Sequence, residues 1–361
     1  MIDRARIRVW LRRAQWVVLP LLVLGLAEAF VRATADRVPS WYGAADRLAQ
    51  MEPVKVIFVG SSRVQAAILP SAFEQVLTEA GRHPATTLNL GRGYTTDLQH
   101  YLGLRNLLTE RPDAMRGVTV FAEVPGGIPY ESRWETTPWA MTAQPWLLVD
   151  LLRPSDLPRF WRWSRLDFET RLHLSVRVFL RRLALFNRRE RVREQWLEEV
   201  LPAMARGTRP VFIPVRVLGD DLRGPGHLTS IRTDPTALAA ARETARSIGE
   251  QMSRNQAPWR NWHGTIPAEL VRLVHGAGGR VVFFEPPQSE VFMQSYRTKL
   301  RQEDVVLFAS LAREWGACVV RPAFAYSDED LPDFWHLRPE RVAEYTRAVA
   351  TAWLQTCSTK H

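Results

Sequence analysis

Val54-Lys55-Val56-Ile57-Phe58-Val59-Gly60-Ser61-Ser62-Arg63 is an apolar run that stops abruptly at Gly-Ser-Ser. Apart from one lysine, its first part is β-branched or aromatic, which describes a strand buried on both faces. The small residues after it mark a tight exit into a helix. The same grammar recurs along the chain. Strands are predicted at Thr86 to Leu90, Val118 to Glu123, Arg280 to Phe284 and Cys318 to Val320. Helical periodicity fills the intervals: Phe73 to Ala80 after a break at Pro70-Ser71, Asp97 to Thr109, about 266 to 275, Leu300 to Trp315, and a closing helix from Arg338 to Gln355. Strands that alternate with helices and lack polar alternation predict an α/β fold, a parallel sheet covered on both faces in three α/β/α layers. In such sheets ligand sites form where loops leave the carboxyl ends of strands. Gly60 to Ser62, Gly91, Glu123 and Glu285 all fall at such ends.

Near the other end of the chain stands Asp333-Phe334-Trp335-His336-Leu337. A serine is a poor nucleophile until a base removes its proton, and a histidine base works best when a carboxylate fixes its tautomer. Ser62, His336 and Asp333 are the three groups this needs. Each has a plain structural reading too: Ser62 or Asp333 as a helix cap, His336 as a hydrogen-bonded residue at a helix start. The three types together, at opposite ends of an α/β pattern, favour nucleophilic catalysis.

The chain has 361 residues, enough for a sizeable core, with ordinary apolar (46%) and charged (24%) content. Its formal charge of +10 is less ordinary. The arginine excess lies mainly in the first 13 residues and from about 153 to 193. Such a charge suits anionic lipid or an acidic polymer. No zinc-finger spacing or RNA-binding signature accompanies it, so nucleic acid is not expected as a partner. The sequence implies no metal or organic cofactor. Cys318 and Cys357 form no metal-type cluster, and two free thiols are expected, with a disulfide between them as the alternative.

Arg4, Arg6, Arg8, Arg12 and Arg13 precede an apolar stretch from Trp16 to Ala27, extendable to Val31. Counted from Val9 to Val31 it is long enough to span a bilayer, and the arginine end would stay in the cytoplasm. Residues 1–34 are therefore expected to be an uncleaved signal anchor. The remainder would then face outward from a single-pass inner-membrane protein. A cleaved signal peptide and a soluble amphipathic helix are the alternatives. Residues 35–127 and 265–361 carry the α/β pattern. Between them, from 128 to 264, the alternation fails and tryptophan and arginine dominate, which predicts an inserted, basic helical cap with helical periodicity from Leu166 to Val200.

These motifs resemble the SGNH (GDSL-like) hydrolase superfamily, in its membrane-anchored bacterial cell-envelope branch. Phe58-Val59-Gly60-Ser61-Ser62-Arg63 stands where the family has Gly-Asp-Ser-Leu, so that Ser62 matches the nucleophile and Ser61 replaces the usual aspartate. Asp333 and His336 match the family's late Asp-x-x-His. The resemblance covers roughly 53–127 and 265–355. It implies an esterase or O-acyl(acetyl)transferase acting on envelope or exported polysaccharide, with an acylated envelope polymer and a membrane acyltransferase as partners. It also implies an oxyanion hole from the backbone of Ser62 and of Gly91 or Gly93, while the family's oxyanion asparagine has no counterpart in Glu123-Val124-Pro125-Gly126-Gly127-Ile128. Arg63, Glu123 and Glu285 are candidates for the substrate pocket, and His263 for a substitute donor. The alternative is a non-catalytic assembly or binding factor of the same fold.

Overall fold

A computed structural model describes residues 18–19, 21–30, 54–82, 86–91, 97–110, 112–124, 151–163, 166–180, 183, 235–254, 265–295, 306 and 308–357. Gly93, His263 and the sequence from 31 to 53 lie outside them.

Five parallel strands form one sheet: β1 (Val54–Val59), β2 (Thr86–Asn89), β3 (Thr119–Glu123), β4 (Arg280–Phe284) and β5 (Cys318–Val320). All five coincide with predicted strands to within a residue or so. Their order is β2-β1-β3-β4-β5, so the direction of strand addition reverses between β1 and β3. Loops leaving the two strands there diverge and open a crevice at their carboxyl ends. Gly60-Ser61-Ser62 follows β1 and Glu123 ends β3, which places both at that crevice.

Helices cover both faces, an arrangement compatible with three α/β/α layers. In chain order in the α/β part are α1 (Ser62–Ala67), α2 (Pro70–Glu79), α3 (Asp97–Glu110) and α4 (Leu157–Trp163). Helix α5 (Phe168–Leu180) belongs to a different unit, described below. The α/β part resumes with α6 (Pro235–Arg254), α7 (Ile266–Gly276), α8 (Glu290–Ser295) and the closing helix α9 (Pro339–Thr356). Side chains alternate across a strand. One face presents Val56, Phe58, Phe121, Val282, Phe284 and Val320 to α1, α2 and α9. Phe58 stacks on Phe121 at 4.6 Å between ring centroids, and Phe73 and Trp353 enclose the pair. The opposite face carries Ile57, Val59, Val120, Ala122, Val281 and Phe283, all buried, with α7 against β4 and α3. The closing helix is also fastened by polar groups. Thr346 Oγ1 donates to the Ala67 carbonyl (3.1 Å) and accepts the Leu69 N–H (3.0 Å), and Tyr345 Oη donates to the Glu285 carbonyl (2.8 Å).

The cysteines are not free thiols. Cys318 at the start of β5 and Cys357 just beyond α9 have Cα atoms 6.1 Å apart and form a disulfide. Residues at the head of a strand and the tail of a distant helix have no sequence signal to pair them; the packing of α9 against β5 brings them together.

The chain divides into two compact units: 40–167 with 216–361, and 1–39 with 168–215. Segments on either side of the basic stretch therefore belong to the α/β unit. Arg105 grips Asp156 through two bonds of 2.7 and 2.6 Å, and Asn106 donates to the Leu151 carbonyl. Arg159 pairs with Glu269 at 2.9 Å. In the second unit, residues 21–30 are helical and Leu21, Leu22, Val23 and Leu24 are all exposed. Among the described residues no helix is long and apolar enough to cross a membrane.

His100 on α3 is 5% exposed, and burial lowers its pKa to about 4 despite the opposing charge of Glu123. Between pH 6.5 and 4 the unfolded chain binds a proton that the folded chain does not. Stability should therefore fall with falling pH across that window, by about 3 kcal/mol for this one group. Guanidinium unfolding of the wild type at pH 7 and 4.5, beside His100→Gln, measures it. The variant should lose clearly less stability on acidification, and equal losses would remove His100 as the cause.

Candidate active site

Ser62 is the first residue of α1, and the turn that delivers it is built around two glycines. A Cβ on Gly60 would lie 2.2 Å from Val64 Cγ2 and 2.7 Å from Glu123 Oε2. A Cβ on Gly91 would lie 2.4 Å from the Gln65 nitrogen and 2.9 Å from Gln65 Cα. Loop backbone after β2 therefore presses directly on the first turn of the helix that carries Ser62. In Gly91→Ala the obstructing atoms are backbone, so α1 must move as a body. The expected outcome is a loss of about 1–3 kcal/mol in thermal unfolding, with slower reaction at Ser62.

Ser61 caps α1. Its Oγ accepts the Arg63 N–H at 3.3 Å, while its own N–H donates to Glu123 Oε2 at 2.6 Å. The other Glu123 oxygen pairs with the Arg63 guanidinium, and both side chains are buried, at 8% and 10% exposure. Arg63 and Glu123, candidates for the substrate pocket on sequence, are thus engaged with each other and with the Gly60-Ser61-Ser62 turn. Glu285 likewise accepts from Gln288 Nε2 at 2.6 Å. Nothing local in sequence pairs Arg63 with Glu123; the adjacency of β1 and β3 does.

In the late motif, His336 Nδ1 and Asp333 Oδ2 are 2.5 Å apart, a donor–acceptor pair with Nδ1–H as donor. Asp333 Oδ1 accepts the N–H groups of Trp335 (3.0 Å) and His336 (2.8 Å). Burial would raise the Asp333 pKa, but the hydrogen bond and charge of His336, with the two backbone donors, more than offset it and hold the carboxyl below its usual value. Phe334, inside this turn, has φ of 66°. A bulky residue in the left-handed region is strained, on the order of 1–3 kcal/mol, and persists only where neighbours over-determine it. Here Leu331 and Leu337 anchor both ends of the turn in the core, the same core that contains Val64 of α1. With Nδ1 bound to Asp333, His336 Nε2 points away from the carboxylate. It is buried, with no hydrogen-bond partner among the described residues. No hydrogen bond joins it to Ser62.

Gly91 is not a free oxyanion donor. Its N–H donates to Asn89 Oδ1 at 2.9 Å. The Asn89 amide in turn reaches the carbonyls of Val64 (3.2 Å), Gln65 (3.3 Å) and Ile68 (2.9 Å). Sequence reasoning passed over Asn89, although an asparagine at the end of a buried strand, 3% exposed, is a signal that its amide has fixed partners. It ties β2 to α1 and takes the Gly91 N–H out of service. The Ser62 N–H, at the unpaired start of α1, remains as a donor. Among the described residues no group of three His, Cys, Asp or Glu side chains is placed to hold a metal ion.

Neither a family model nor a curated protein sequence matches the chain.

Proposed function

We propose that the chain is a membrane-anchored serine esterase or O-acyltransferase of SGNH type, acting on cell-envelope or exported polysaccharide. The reading rests on one observation above the rest: a buried His336 Nε2 with no partner among the described residues, opposite an Nδ1 held by Asp333. A histidine with its tautomer fixed by a carboxylate and its other nitrogen left open is arranged as a general base. Ser62 at the β1/β3 crevice is the hydroxyl it would serve.

In that chemistry Ser62 Oγ attacks the ester carbonyl as Nε2 takes its proton. The Ser62 N–H faces the developing oxyanion. His336 then returns the proton to the leaving alcohol, and water or a sugar hydroxyl resolves the acyl-enzyme. The mechanism requires Ser62 Oγ and Nε2 to come within hydrogen-bond reach when substrate binds, and such contacts commonly tighten only in the bound complex.

An outward location has two supports. The exposed Leu21, Leu22, Val23 and Leu24 of the helix over residues 21–30 suit a lipid surrounding. The Cys318–Cys357 disulfide suits an oxidising compartment.

The committed Gly91 N–H and the absent Ser62–His336 hydrogen bond favour a second reading, a non-catalytic assembly factor that binds an acylated polymer or a membrane acyltransferase. Labelling with a fluorophosphonate separates the two. The esterase reading expects covalent labelling of the wild type that is abolished in Ser62→Ala. An unlabelled wild type, correctly folded, leaves the assembly factor.

A further inference from the structure

Helix α1 has six residues, too few to hold a fixed position through their own hydrogen bonds. Pro70 opens α2 and disfavours helical backbone at Leu69 before it. Ile68 and Leu69 are both extended, with φ of −112° and −109°. The break leaves the last carbonyls of α1 without the N–H groups that a longer helix would supply. Two side chains from elsewhere in the fold meet them. The Asn89 amide, at the end of β2, donates to the Val64, Gln65 and Ile68 carbonyls. Thr346, near the middle of α9, donates to the Ala67 carbonyl at 3.1 Å and accepts the Leu69 N–H at 3.0 Å.

Asn89 and Thr346 differ in what stands behind them. Asn89 belongs to the sheet, whereas Thr346 belongs to the element that carries the base. Helix α9 starts at Pro339, shortly after the Asp333–His336 turn. The Phe334 N–H donates to the Leu331 carbonyl at 2.8 Å, and the Arg338 N–H to the Asp330 carbonyl at 2.9 Å. Arg341, within α9, pairs with Asp330 at 3.2 Å. The turn is thereby tied to the start of α9. A continuous series of contacts runs from His336 through α9 and the Thr346 hydroxyl to α1 and Ser62. Thr346 is fully buried, and its two bonds join positions 279 and 277 residues apart in sequence.

We infer that Thr346 is a positioning residue: its hydroxyl sets α1 against α9, and with it the placing of Ser62 Oγ relative to His336 Nε2. The inference rests on the esterase reading above. It gives α9 a part in the chemistry besides covering the sheet. Thr346→Val keeps the shape and removes the hydroxyl. The Ala67 carbonyl and the Leu69 N–H then lose their partner together, and the α1/α2 break is free to shift. A displacement of about 1 Å at a reacting atom costs on the order of 100-fold in rate.

Fluorophosphonate labelling of the full chain, followed against probe concentration, separates the limiting rate from half-saturation. Thr346→Val should lower the limiting rate by about 10-fold to 100-fold and leave half-saturation unchanged, since no contact to the probe is removed. Thr346→Ser, which restores the hydroxyl, should recover most of the rate. Val349→Ala, one turn further along α9 and buried in the same core, is the control for lost stability. It should melt lower than the wild type and label at the wild-type rate. In a His336→Ala background Thr346→Val should have no further effect on the residual rate, because no base is left to be placed. Should Thr346→Val not fold, Thr346→Ala, which leaves space for water at the stranded groups, takes its place. If the Thr346 variant labels at the wild-type rate, or is slowed equally in the His336→Ala background, the inference is overturned. Thr346 is then a structural fastener and the esterase reading stands. A folded wild type that takes no label overturns the esterase reading and the inference with it.

Discussion

Glu123→Ala should unfold roughly 10 °C below the wild type, the equivalent of about 3–5 kcal/mol for a broken buried ion pair. The carboxylate serves two groups with little access to solvent. Arg63, 10% exposed, would be left as a buried charge without its partner, and the Ser61 N–H would lose the acceptor that now lies 2.6 Å away. Removing one partner strands the other, which is why the expected effect exceeds that of a surface pair by several-fold. Glu123→Gln keeps the shape and one acceptor while losing the charge, so its loss should be smaller. Differential scanning calorimetry of the three proteins reads this directly. A Glu123→Ala protein with wild-type melting behaviour and weakened substrate binding would put the carboxylate in the substrate pocket instead.

The second large effect is on rate. Asp333→Asn should slow fluorophosphonate labelling by about 10⁴-fold with little change in melting temperature. The substitution preserves Oδ1 and its bonds from Trp335 and His336, which hold the strained turn at Phe334. It replaces Oδ2 with an amide that donates. His336 Nδ1 must then accept, the ring proton moves to Nε2, and Nε2 can no longer take the proton from Ser62. Asp333→Ala differs in an instructive way: it frees the turn as well and should lose stability. A pH series adds a sign. The Asp333 carboxyl is held below its usual value in the fold, so its contribution to stability is full above the ordinary carboxylate range. The contribution disappears as pH falls through the depressed value. Labelling by the wild type should therefore survive moderate acid as far as Asp333 is concerned. An Asp333→Asn protein that labels at the wild-type rate would show that the pair is structural.

Both predictions depend on contacts of different legibility. Asp333 and His336 are three apart, and a short turn is enough to bring a carboxylate to a ring nitrogen, so spacing alone exposed the pair. Glu123 and Arg63 are 60 residues apart. Sequence placed each at a strand end, yet residue type alone gave no preference between pocket lining and mutual pairing. The same limit applied to Gly91. Its position after β2 was legible, but the direction of its N–H depended on the Asn89 side chain, which turns back to cap α1.

What the chain determined by itself was local and periodic. Short runs of Val, Ile and Phe without polar alternation, bounded by glycine and proline, read as strands covered on both faces, and Gly60 and Gly91 mark their tight exits. Strand positions, the parallel sheet and the places of Ser62, Asp333 and His336 followed from that. Tertiary structure decided what depends on which strands are neighbours. The order β2-β1-β3-β4-β5 put Glu123 beside the Gly60-Ser61-Ser62 turn, and the docking of α9 against β5 joined Cys318 to Cys357. Periodicity reports which face a side chain presents. Only the assembled sheet determines what that face meets.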